Sequence, residues 1–167
     1  FITESFYQPP TKILQKINEV VIQQQQNFAK TWKKILVEMA DQKVFIKTAK
    51  NLNSAQKKFV TSYFDEVVES NVIPILLNDN SPMPYLRDKS LYLGIAMRKK
   101  EFQYESKFAI IEIPSRTLGR FVLLPSKNKD EKNVMLLEDV IIYNLPHIFS
   151  YFGYEEFEAH CFKVTKD

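Results

Sequence analysis

Leu14, Ile17, Val21, Phe28, Trp32, Ile35 and Met39 recur at steps of three, four or seven, the spacing that aligns side chains along one face of an α-helix. Pro9 and Pro10 stand just ahead of this pattern, where a helix tolerates a missing N–H. A long amphipathic helix is therefore expected near the N-terminus. Residues 23–26 are four glutamines, and they interrupt the stripe where an apolar side chain is due. That turn is expected at a surface or against a partner. Residues 43–48, KVFIKT, read as a short strand, and Asn53 with Gln56 three residues on suits the start of a second helix. Phe59, Val60, Tyr63, Phe64, Val67 and Val68 paint one apolar face of that helix, for which core packing is a sufficient account.

Residues 78–84, NDNSPMP, are dense in turn formers, and both prolines exclude ladder hydrogen bonding, so an exposed, stiffened loop is expected. Three strands follow at residues 91–98, 107–113 and 120–124, the last two separated by PSRTLG at residues 114–119, and their pattern predicts an antiparallel meander. Residues 126–133 read as a charged loop, 137–148 as a third helix and 157–164 as a final strand. The order α, β, α, β, β, β, α, β lacks the regular βαβ rhythm of a doubly wound sheet. The expected class is α+β: a long N-terminal helix, two further helices and a mainly antiparallel sheet in a single domain spanning residues 1–167.

Composition narrows the function classes. With 45% hydrophobic residues, 13 Phe and 8 Tyr beside only 3 Gly, the chain has enough apolar surface to bury a core. Its 23 basic and 20 acidic residues leave a formal charge of +3, far from the dense basic field of a nucleic-acid binder. The apolar run at residues 72–77, broken by Pro74, falls well short of the roughly 18 residues that cross a bilayer. FITESFYQPP at the start has neither a basic opening nor a continuous apolar stretch, so no secretory signal is expected, and without an initiator Met the chain reads as an excised piece. A lone Cys161 fits a reducing compartment. The expected location is the cytoplasm, with peripheral membrane association left open.

Candidate chemistry is sparse. Gly94, Gly119 and Gly153 are isolated, whereas a phosphate-cradling loop needs several close glycines so that backbone N–H groups reach the anion. His147, His160 and Cys161 do not supply the paired ligand spacings of a structural zinc site, so no metal is expected. His160 and Cys161 are neighbours on a strand and point to opposite faces, which prevents a nucleophile–base pair. His147 follows Pro146 near a helix end, where an imidazole can simply meet terminal carbonyls. Glu138 and Asp139 diverge around a helix and read as charges that complement its N-terminal dipole. Arg116 and Arg120 flank the 114–119 turn, with Arg87, Arg98, Lys99 and Lys100 in the same central region. Arg87, Arg98, Arg116 and Arg120 are the candidate polyanion contacts, with solvated surface charge as the plainer alternative.

Several phrases taken together, in order, resemble the middle domain of the polyphosphate kinase family: SAQKKFVTSYFDE at 54–66, VIPIL at 72–76, SPMPYL at 81–86 and SLYLGIA at 90–96, then IPSRTLGRFV at 113–122, LLEDVI at 136–141 and EAHCFKVTKD at 158–167. The chain departs from the family's usual pattern in having Ser81 before Pro82, Gly119 where a proline is usual, and Lys166 where an arginine is usual. The resemblance implies an enzyme that moves the terminal phosphoryl of ATP onto polyphosphate through its own phosphohistidine. It implies that this histidine and the Mg-ATP machinery lie in C-terminal domains, and that adenine contacts lie in a preceding N-terminal domain of which residues 1–10 are at most a remnant. Neither His147 nor His160 matches the phosphohistidine motif. On this reading the segment binds no cofactor itself, is inactive alone, and holds flanking domains and a second subunit in place. Phe28 and Trp32 on the long helix, and Pro82, Pro84 and Tyr85 in the proline loop, are the candidate oligomer or domain contacts, and polyphosphate is a further candidate partner.

Overall fold

Residues 9–78, 82–100 and 102–166 are described in a computed structural model of the chain. The first eight residues of the expected N-terminal remnant and residues 79–81 of the proline loop lie outside this range. The chain forms two compact units, residues 1–44 and 45–167.

The described part of the first unit is dominated by helix α1, Pro10–Asp41, with Pro9 as N-cap, Pro10 at its first position and no buried residue. The apolar stripe and the glutamine turn both lie within it. Phe28 is 73% exposed and Trp32, one turn further on, 43%.

Strand β1 (Val44–Lys47), all but its first residue in the second unit, leads through a short 3₁₀ turn to α2, Ser54–Tyr63. The expected cap is present: Gln56 N–H donates to Asn53 Oδ1 at 3.0 Å, and Asn53 N–H donates back to Gln56 Oε1 at 3.1 Å. This reciprocal pair satisfies two donors that a helix start leaves open. The helix does not stop where its apolar face does. It widens into a π turn at Phe64–Val68, and Val60, Phe64 and Val68 are fully buried.

The apolar run at 72–77 contains β2, Pro74–Leu77, a strand additional to those expected. It forms the edge of a four-stranded antiparallel sheet in the order β2, β4 (Phe102–Glu112), β3 (Leu91–Lys99), β7 (Glu156–Lys163). Pro74 fits there because an edge strand can dispense with a donor. Leu93, Ile95, Met97, Ala109 and Ile111 face the core from this sheet and pack in one cluster with Val60, Phe64, Val140, Ile141 and Phe149.

The expected meander holds for β3 and β4 and stops there. Helix α3, Ser115–Leu118, intervenes, and β5 (Phe121–Leu124) pairs antiparallel with β6, Lys132–Leu136, in a second sheet ordered β1, β6, β5. Strand β6 begins inside the stretch expected as a charged loop, and buries Asn133 and Met135. The expected third helix is two, α4 (Leu137–Tyr143) and α5 (Leu145–Ile148). Asn144 bonds back to Val140 O at 2.8 Å, and Pro146 has no N–H with which to continue the ladder.

Candidate functional site

Antiparallel pairing sets Tyr92 opposite Glu112 and closes Ile113 N–H on Leu91 O at 2.9 Å, so the start of β3 and the end of β4 share one sheet end. The approach to β3 is pinned there as well. Arg87 N–H donates to Tyr92 Oη at 2.7 Å, Lys89 N–H to Val164 O at 2.8 Å, and Val164 N–H to Ser90 O at 3.1 Å. Lys89 takes φ 57, a left-handed conformation uncommon for a residue with a side chain. After β4, Pro114 and α3 carry the chain back past the same place. A cleft of about 690 Å³ opens between these segments, and Arg87, Lys89, Arg116, Arg120, Lys163 and Glu112 line it.

Two of its five cations are engaged by carboxylates. Arg87 Nε stands 3.9 Å from Glu112 Oε2, a loose pair at an exposed position. Arg120 Nε donates to both oxygens of Glu138 at 3.0 and 3.3 Å, and Glu138 is only 5% exposed. That hydrogen bond, outweighing burial, holds the Arg120 guanidinium still more firmly charged than usual. Arg116 donates to a backbone carbonyl, Asp88 O, at 3.2 Å. No carboxylate among the described residues pairs with Arg116, Lys89 or Lys163. The cleft therefore keeps three uncompensated cations.

Next to Glu138, burial pushes the Asp139 carboxyl up to about 6, and Glu138 adds to the rise. The exposed Cys161 thiol is raised too, first by partial burial and then by Glu138; a raised thiol is a poor nucleophile.

Of the four arginines expected as polyanion contacts, the fold gathers Arg87, Arg116 and Arg120 into this cleft. Arg98 is elsewhere, with Nε on Ser106 Oγ at 3.0 Å and Nη2 3.9 Å from Glu158 Oε2. Arg98 shares the face of Tyr92, which lines the cleft, but stands opposite Glu156 at the far end of the β3–β7 pairing, whereas Lys163 lies opposite Leu91 at the cleft end. Glu138 stands in the first turn of α4, as expected of a charge that complements the helix dipole, and it is in addition the buried partner of Arg120, which is therefore more than a solvated charge. Lys89 and Lys163 were absent from that expectation. They sit in separate segments, and only the pairing of β3 with β7 brings them together.

The proline loop divides. Pro82 and Pro84 border an apolar hollow with Met83 and Phe108, while Tyr85, 80% exposed, lines the cationic cleft with Lys166 Nζ 3.8 Å from its ring centre. His160 Nε2 lies 3.1 Å from Glu158 Oε1. His147 Nε2 lies 3.3 Å from Glu69 Oε1, and the ligand-type atoms of Asp65, Glu69 and His147 fall within 4.8 Å of one another, all exposed. This grouping joins residues far apart in sequence and was not expected from it.

Residues 55–167 match the family described as "Polyphosphate kinase middle domain". Among curated relatives, the chain is 31% identical over 159 residues to the polyphosphate kinase of Vibrio parahaemolyticus and 32% over 158 residues to that of Vibrio cholerae, each alignment covering 93% of this chain. It is similar in structure to the polyphosphate kinase of Porphyromonas gingivalis, with a TM-score of 0.81 and 26% identity over 92% of this chain and 24% of that one. The chain spans only 22% of the length of the two Vibrio relatives.

Proposed function

The chain belongs to the polyphosphate kinase family, whose middle domain its residues 55–167 match, and on that premise we propose that it is the scaffold and subunit-contact segment of an enzyme that transfers the terminal phosphoryl of ATP to polyphosphate. The family match is the observation that carries this reading. In it, the phosphohistidine and the Mg-ATP site lie outside these 167 residues, and the segment works in the cytoplasm between an N-terminal and a C-terminal portion of the same enzyme.

The division of labour suits the chemistry. Phosphoryl transfer is accelerated mainly by positioning and charge stabilisation, so a rigid body that fixes the flanking parts contributes without touching the reacting atoms. A core with Val60, Phe64, Leu93, Ile111 and Ile141 almost wholly excluded from water supports that rigidity. The exposed Phe28 and Trp32 of α1 support a role for that helix in contacts with a neighbouring domain or subunit.

Replacing His147 and His160 together by Ala in the full-length enzyme tests the assignment of the phosphohistidine. The expected result is acid-labile labelling from terminally labelled ATP at the wild-type level. Loss of that label in a folded variant would move the phosphohistidine into this segment and overturn the reading.

A further inference from the structure

We propose that the cleft at the common end of β3 and β4 is a phosphate subsite that holds polyphosphate through Arg116, Lys89, Lys163 and the hydroxyl of Ser90. The substrate class rests on the polyphosphate reading above; the anion chemistry rests on the cleft. Arg116, Lys89 and Lys163 bring three positive charges to one hollow with no carboxylate partner among the described residues. Like charges so placed repel one another until an anion enters, and an anion that neutralises several of them gains from each.

Ser90 supplies an independent observation. It lines the same cleft and is 4% exposed, yet its Oγ has no hydrogen-bond partner, alone in this among the buried side-chain polar atoms of the described residues. A buried hydroxyl without a partner is destabilising and calls for an explanation. The hydroxyl is shielded from solvent as it stands, and a rotation of the short side chain toward the cleft would bring it to a phosphate oxygen that satisfies it. Arg116 already spends one N–H on Asp88 O, which fixes the side chain and leaves the rest of a five-donor fork for oxyanions. Glu112 is the one carboxylate lining the cleft, and its loose contact with Arg87 offsets one charge without emptying the site. Three cations, one hydroxyl donor and an open mouth fit a chain of phosphates in which successive groups meet successive cations.

The test is a titration of the 167-residue chain with fluorescently labelled inorganic polyphosphate, with unlabelled polyphosphate, triphosphate, orthophosphate and magnesium-free ATP as competitors. Saturable binding is expected at low salt, falling at least roughly tenfold between about 50 and 200 mM salt because several phosphates are neutralised. Polyphosphate is expected to compete best. Arg116→Gln should weaken binding on the order of tenfold, as loss of a charge-assisted contact does. Ser90→Ala should weaken it severalfold with an unchanged or higher Tm, since it removes a hydroxyl that the free protein leaves unpaired. Arg98→Gln, away from the cleft, should leave it unchanged. No saturable binding, unchanged affinity in Arg116→Gln or Ser90→Ala, equal weakening by Arg98→Gln, or stronger competition by orthophosphate or ATP would each overturn the subsite. Phosphohistidine labelling of the full-length enzyme is scored separately, so the subsite and the kinase reading fail independently.

Discussion

Arg120 and Glu138 are 18 positions apart, and their pairing decides what each can do. Glu138 is buried behind a half-exposed guanidinium, so removing the arginine strands a carboxylate that water reaches poorly. Arg120→Met should therefore destabilise the fold by about 2 kcal/mol, below the full cost for a wholly buried pair because Arg120 is partly solvated. Adding Glu138→Leu should restore most of the loss, measured by urea denaturation. The neighbouring Asp139 has the opposite character. Its carboxyl is raised to about 6 from about 3.9 in an unfolded chain, so the folded protein binds the proton more tightly. Stability therefore falls as pH rises between about 4 and 6, and the penalty is complete above that window. Asp139→Asn should stabilise the protein by about 1 kcal/mol at pH 7.5, after discounting for partial exposure, and by nothing at pH 4. A variant whose denaturation midpoint shifts equally at both pH values would contradict this.

At the scale of elements, the turn that delivers Arg116 and Arg120 to the cleft depends on Gly119, which ends α3 at φ 74, ψ 169. That region is nearly closed to residues with a Cβ. Gly119→Ala should cost about 2 kcal/mol although nothing lies within 4 Å of the added methyl. Gly94→Ala is the contrasting case: its methyl would meet the Phe162 ring at 3.4 Å, an ordinary contact, and its effect should stay within about 0.5 kcal/mol. Thermal denaturation of the two variants side by side checks the pair. The elements that sequence reading found are those with local signals. The cap at Asn53 and Gln56, the stripe of α1 and the alternation of β3 are each written within a few residues. Strand β6 was hidden by the charges before it, since Lys132 and Asn133 give no apolar alternation. Strand β2 was hidden by Pro74, which is acceptable only at an edge, and edges are set by distant partners. The cleft was legible as a list of basic residues but not as a place. Arg98 left the list and Lys89 and Lys163 joined it for the same reason: strand register, not sequence distance, determines which cations meet.

For the molecule as a whole, the proposed scaffold role draws on the family middle domain at residues 55–167, on its water-excluded core and, outside that match, on a helix bearing exposed Phe28 and Trp32. Contact through α1 predicts that Phe28→Glu with Trp32→Glu shifts the full-length enzyme toward smaller species in sedimentation velocity, while circular dichroism stays unchanged; an unaltered sedimentation profile would remove α1 from the subunit contact. Whether this segment supports phosphoryl transfer without performing it is decided by incubating the purified 167-residue chain and the full-length enzyme in parallel with Mg-ATP labelled at the terminal phosphate. Acid-labile phosphohistidine and polyphosphate product are expected from the full-length enzyme and neither from the segment; label or product formed by the segment alone would put the catalytic machinery within these 167 residues.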